Sequence, residues 1–131
     1  MTEEDRNELV RLQMDRADKF LSQANEMLET KHFDLAANRF YYACYHAIQG
    51  LFIHDGITRH THKGLHVTLG KEYVLKGKFD PTLSSIFRTM EQLREKADYN
   101  CAYDISEEEV IEMLLPSQKI VDEAKKLVEI Q

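Results

Sequence analysis

The sequence predicts an all-α fold, a bundle of about five helices around one largely apolar central helix, and three observations lead to it. Apolar residues recur at spacings of three and four along most of the chain. Capping residues and helix-stopping glycines cut it into pieces of helical length. No strand-like alternation, internal repeat, low-complexity tract or linker interrupts that pattern, so one domain over residues 1–131 is expected.

Thr2, with Asp5 three residues on, opens the first helix, in which Leu9, Leu12, Arg16, Phe20, Ala24, Met27 and Leu28 recur at helical spacing until about Lys31. Asp34 is the expected cap of the second helix, and residues 35–52 are apolar or aromatic on almost every face, with Phe40, Cys44, Ala47 and Leu51 on one stripe and Tyr41, Tyr45, Ile48 and Phe52 on the next. A helix of that kind belongs in the middle of a bundle. Asp55-Gly56 stops it, residues 57–61 read as a loop, and a shorter third helix is expected over 62–75, closed by Gly77. Asp80-Pro81 places an N-cap before a proline at the first helical position, and Leu83, Ile86, Phe87, Met90, Leu93 and Ala97 form the buried stripe of a fourth helix reaching about Asp98. Ser106 and Glu109 form a capping box for a last helix to about Ile130, with a kink expected at Pro116.

At 131 residues the chain is long enough to bury a sizeable core without disulfides or metal, and 43% hydrophobic residues exclude a disordered polymer. Charge interrupts every apolar stretch before it reaches membrane-spanning length, and the start of the chain is acidic where a signal peptide would be basic. A cytoplasmic protein without a membrane span is therefore expected. Cys44 and Cys101 stand far apart without metal-binding spacing and read as ordinary core thiols. The net charge of −6 disfavours a general nucleic-acid-binding surface. One segment departs from that average: residues 59–78 carry Arg59, Lys63, Lys71, Lys76 and Lys78 against Glu72 alone.

Four polar residues of the second helix, Arg39, Tyr42, His46 and Gln49, follow one another at spacings of three, four and three and so share a face. They fit either a hydrogen-bonded network that fixes packing or one wall of a ligand cleft. Arg94 falls on the buried side of the fourth helix, where a guanidinium needs an acceptor; Asp98, one turn on, supplies one, and a phosphate is the other reading. His54, His60, His62 and His66 raise the question of a metal, since His62 and His66 are one turn apart, but no carboxylate joins them at helical ligand spacing. No metal site and no cofactor are expected. The chain has neither a Gly-rich phosphate loop nor a Gly-x-Ser-x-Gly elbow, which excludes P-loop NTPase and α/β-hydrolase chemistry.

Two segments, AANRFYYACYHAI from Ala36 to Ile48 and REKADY from Arg94 to Tyr99, resemble the HEPN superfamily, and most of all its small stand-alone branch of the UPF0332 type. The resemblance implies an α-helical up-and-down bundle, usually a homodimer, whose active members are metal-independent ribonucleases with an arginine followed, after four to six residues, by a histidine. Arg94 matches the arginine, but the position after four intervening residues is Tyr99, and a phenol with an ordinary pKa near 10 is a poor base at neutral pH. What the resemblance then implies is a dimeric interaction domain that contacts RNA or a nucleotide beside a minimal nucleotidyltransferase in a toxin–antitoxin-like pair, without the usual ribonuclease activity. Arg94, Asp98, Tyr99 and the stripe Arg39, Tyr42, His46 and Gln49 would line its cleft. The competing reading is an atypical ribonuclease using Arg94 with Tyr99 or His46, and a third is a helical module in which these groups only support packing.

Overall fold

Along the described residues, 1–57 and 61–129 of a computed structural model, five α-helices and one wider turn follow in the order α1 (Glu3–Glu29), α2 (Phe33–His54), α3 (His62–Leu69), a π-helical turn (Gly70–Val74), α4 (Pro81–Tyr99) and α5 (Glu107–Glu129). No strand occurs among these residues. Most of the expected loop after α2, with Arg59 and His60, and the expected end of the last helix at Ile130 lie outside them.

Local chemistry accounts for the helix starts. The Thr2 hydroxyl accepts from the Asp5 amide at 3.0 Å and the Asp5 carboxylate accepts from the Thr2 amide, closing a capping box. Asp80 accepts from the Thr82 amide at 2.7 Å with Pro81 in the first turn of α4. Ser106 and Glu109 bond reciprocally, at 3.2 and 3.0 Å, ahead of α5, which runs unbroken through Pro116. Two boundaries differ from expectation. Helix α2 starts one residue before Asp34, whose carboxylate instead accepts from the Ile105 amide at 3.4 Å and ties the start of α2 to the α4–α5 connection. The third helix is α-helical only to Leu69, after which i→i−5 bonding, Leu75 N–H to the Gly70 carbonyl at 2.9 Å, widens it until Gly77 turns the chain at φ +72°.

Helix α2 is enclosed by α1, α5 and α4. Phe40, Tyr41, Ile48, Leu51 and Phe52 on α2, Phe87 on α4 and Val110, Ile120 and Val121 on α5 are fully buried, each contributing roughly 1.5–3 kcal/mol of apolar burial. At Gly50 the first two helices come so close that a Cβ would lie 3.0 Å from Met14 Cε and 3.2 Å from Gln13 Cβ. Apart from Leu35 in its first turn, the apolar faces of α2 are thus covered within one chain, and the other large apolar side chains left exposed, Leu12, Leu75, Ile111 and Leu115 among them, belong to other surfaces. Cys44 is a core thiol, donating to the Ser117 carbonyl at 3.8 Å, and burial pushes its pKa up to about 12. Cys101 departs from expectation: it is exposed, in the turn that follows α4. No helix of the described residues is long and apolar enough to cross a membrane.

Candidate functional site

Three elements converge beside the middle of α2. Tyr41, Tyr42 and Tyr45 come from α2 itself, His62 and His66 from successive turns of α3, and Glu91, Arg94 and Asp98 from one face of α4. Thr61 fixes the entry of His62, because its hydroxyl accepts from the Gly64 amide at 2.9 Å and makes His62 the first residue of α3. Phe87 lies beneath the cluster, its ring 4.4 Å from that of His66 and 5.3 Å from that of Tyr41.

Glu91 joins the two walls. Its Oε2 lies 3.6 Å from His62 Nδ1 and 3.5 Å from Arg94 Nη2. Arg94, whose side chain is only 11% exposed, donates from Nη1 to Asp98 at 2.6 Å and sets its guanidinium carbon 5.4 Å from the ring centres of both Tyr41 and Tyr42. His62 stacks on Tyr45 at 4.5 Å, meets Tyr42 edge-on at 5.8 Å, and shares a hydrogen bond between its Nδ1 and the Tyr41 hydroxyl at 3.1 Å. Its side chain is 37% exposed, and among the described residues its polar contacts are made through Nδ1 and not Nε2. The same hydroxyl lies 3.3 Å from His66 Nε2. The result is an imidazole and a guanidinium, both resting on Tyr42 and sharing one carboxylate, at a half-open surface.

Burial sets the charges here. It raises the pKa of Tyr41, with Glu91 adding to the effect, and keeps the phenol protonated. For Arg94 burial pulls the other way, but Tyr42, Glu91 and Asp98 outweigh it and the net shift is upward. His66 is pulled down to about 4 chiefly by burial, against the opposing charge of Glu91. A folded-state pKa below the ordinary histidine value means that the unfolded chain binds a proton the fold refuses between about pH 6.5 and 4. Stability is therefore full above that window and is lost as pH falls through it, by on the order of 3 kcal/mol for His66. Urea midpoints measured from pH 7 to pH 4.5 should fall accordingly, and His66→Gln should flatten the slope; a constant wild-type midpoint would rule this out.

The residues singled out in the sequence are distributed over three places. Arg94, Asp98 and Tyr42 lie together in the cluster just described. Arg39 and His46 face α1 instead: Arg39 Nε donates to Gln23 at 2.9 Å with the guanidinium over Phe20, and His46 Nδ1 pairs with Gln13 at 2.8 Å while its ring meets Phe20 edge-on. Burial, with Arg16 nearby, holds the pKa of His46 down to about 4. Gln49 is half-buried one turn further along. Tyr99 ends α4 with its side chain 83% exposed. The polar stripe of α2 is therefore divided between two neighbours, since its width spans both the α1 contact and the cleft. Tyr41, His62, His66 and Glu91 were not singled out as a site. The spacing of four between His62 and His66 was legible, but only as a metal question, and among the described residues no three metal-binding side chains converge.

Comparison with known proteins agrees with this architecture. A 27% identical protein of Thermotoga maritima, named a UPF0332 protein, aligns over 87% of this chain and 86% of its own length. Two proteins of Methanocaldococcus jannaschii, both named as candidate toxins, are 24% and 29% identical, covering 86% and 84% of this chain and 77% and 81% of their own lengths. The family model described as "HEPN domain" matches residues 10–127, nearly the full set of helices, and the chain belongs to the HEPN domain family.

Proposed function

We propose that this chain is a toxin-like RNA-directed module that cleaves a phosphodiester without metal, with His62 as proton acceptor and Arg94 as phosphate ligand. The observation that carries this reading is the shared carboxylate of Glu91, which sets an imidazole, its Nε2 without a hydrogen-bond partner among the described residues, and a guanidinium on one half-open wall. Nε2 would take the proton of a ribose 2′-hydroxyl; that oxygen attacks phosphorus, the bond to the 5′-oxygen breaks, and the leaving oxygen takes a proton from solvent. The guanidinium stabilises charge on the non-bridging oxygens, and Tyr42 and Tyr45 offer faces on which a base can stack. This places the histidine on α3, where Arg94 meets it across the bundle. The neighbouring Lys63, in the basic segment, favours approach of a polyanion to an otherwise acidic molecule.

The test is cleavage of a mixed-sequence single-stranded RNA in EDTA. The wild type should yield 2′,3′-cyclic phosphate ends, His62→Ala should lower the rate about 10²–10⁴-fold, and the 2′-deoxy oligonucleotide should stay intact. Equal rates for wild type and His62→Ala would sink the reading. One observation favours a second one: Arg94 is already engaged by Asp98 at 2.6 Å, so the guanidinium is closed to phosphate until Asp98 turns away. On that reading the chain is a homodimeric, RNA- or nucleotide-contacting domain working beside a nucleotidyltransferase. Absence of cleavage, together with a dimeric mass by light scattering and co-purification of a nucleotidyltransferase from native cells, would select it.

A further inference from the structure

Around Tyr41 the hydrogen-bond donors and acceptors can be counted. A tyrosine hydroxyl has one proton to give and two lone pairs to receive, and this one faces two imidazole nitrogens, His62 Nδ1 at 3.1 Å and His66 Nε2 at 3.3 Å. The other nitrogen of His66, Nδ1, is buried without a hydrogen-bond partner among the described residues. A proton there would be a buried N–H with no acceptor, which is costly, so the proton of neutral His66 belongs on Nε2, donating to the Tyr41 oxygen. At His62 the deciding neighbour is Glu91, whose Oε2 lies 3.6 Å from Nδ1. A lone pair facing that carboxylate repels it, whereas an N–H is attracted to it. With Nδ1–H donating to the second lone pair of Tyr41, the phenol proton is left free to turn toward Glu91, the carboxylate beside His62 Nδ1, whose charge helps hold the phenol protonated. In this arrangement no N–H or O–H of the four groups points at another donor, and the buried His66 Nδ1 is left as a bare acceptor.

We infer that Tyr41, together with Glu91, is a positioning residue that holds His62 as the tautomer protonated on Nδ1, so that Nε2 meets the substrate with a free lone pair. His66 takes part as the partner that occupies the other lone pair of Tyr41 and so removes the alternative in which the phenol donates to it. This inference rests on the reading of His62 as the proton acceptor, but it makes a statement about the resting protein that needs no activity to check. Tyr41, fully buried under Tyr42 and Phe87, touches no substrate. It acts through the ring it orients, as a carboxylate orients the histidine of a hydrolytic triad.

The experiment is a long-range 1H–15N correlation on full-length protein labelled in histidine, at a pH high enough that the His62 signals no longer move. The expected spectrum has His62 protonated on Nδ1 and bare on Nε2, and His66 the reverse. In Tyr41→Phe the His62 signals should shift toward a mixture of tautomers, and kcat for RNA cleavage should fall at least about 10-fold with KM changed much less. A wild-type spectrum with His62 protonated on Nε2 overturns the inference, and so does an unchanged His62 tautomer in a folded Tyr41→Phe protein. The wild-type spectrum stands by itself if the variant does not fold. If the tautomer is as expected but His62→Ala cleaves RNA normally, the positioning network holds and the catalytic role of His62 falls.

Discussion

Arg94→Ala is expected to lower RNA cleavage about 10²–10³-fold, the loss that follows removal of one charge-stabilising donor from a preorganised site. The same change should also weaken the fold. The guanidinium is mostly buried, lies over Tyr41 and Tyr42, and neutralises Glu91, whose side chain is 14% exposed; removing it strands that carboxylate and costs about 1–3 kcal/mol. Arg94→Lys separates the two effects, because it keeps the positive charge beside Glu91 but loses the planar fork that can hold two phosphate oxygens. Melting curves should therefore place Arg94→Lys near the wild type while its cleavage rate stays close to that of Arg94→Ala. Undiminished cleavage by both variants would remove Arg94 from the site.

Phe87→Ala should be the most damaging single substitution in the region, at about 3–5 kcal/mol, because a fully buried ring would leave a cavity between α2, α3 and α4. In a domain of this size that corresponds to a fall in melting temperature of roughly 10–20 °C, measurable by circular dichroism. A shift of a degree or two would mean that the ring is not part of the packed interior. Since Phe87 lies under both Tyr41 and His66, whatever folded protein remains should also lose the geometry of the cleft.

Much of this molecule was legible in its sequence for identifiable reasons. Helix starts at Thr2, Asp80 and Ser106 are local events, decided by residues within one turn, and each was read correctly. Asp34 carries the same kind of signal but is used for a contact with Ile105, seventy-one residues away, which no local pattern reveals. Arg94 and Asp98 could be paired because both lie on one helix. The histidines were harder. His46 looked central because it sits on the central helix, yet the neighbour that receives it is α1. His62 looked peripheral because it opens a short helix, and its place opposite Arg94 depends on how α3 docks on α4, a relation between segments about thirty residues apart. Periodicity assigns a side chain to a face; it does not say which neighbour covers that face.

The wide turn at Gly70–Val74 also marks a length that cannot be changed freely. Leu65, Leu69 and Tyr73 are buried at successive intervals of four residues, and a regular helix would let each step drift around the axis, whereas the wider winding returns Tyr73 toward α2. There its ring stacks on Phe52 at 5.6 Å and its hydroxyl donates to Asp55 at 2.6 Å, pinning the far end of the segment that begins at His62. Deleting one residue between 70 and 74 would restore ordinary winding and keep every chemical group of the cleft, yet swing this anchor off its seat. Relatives should therefore gain or lose residues at the exposed start of this chain far more readily than in these five, where the count itself sets the orientation of α3.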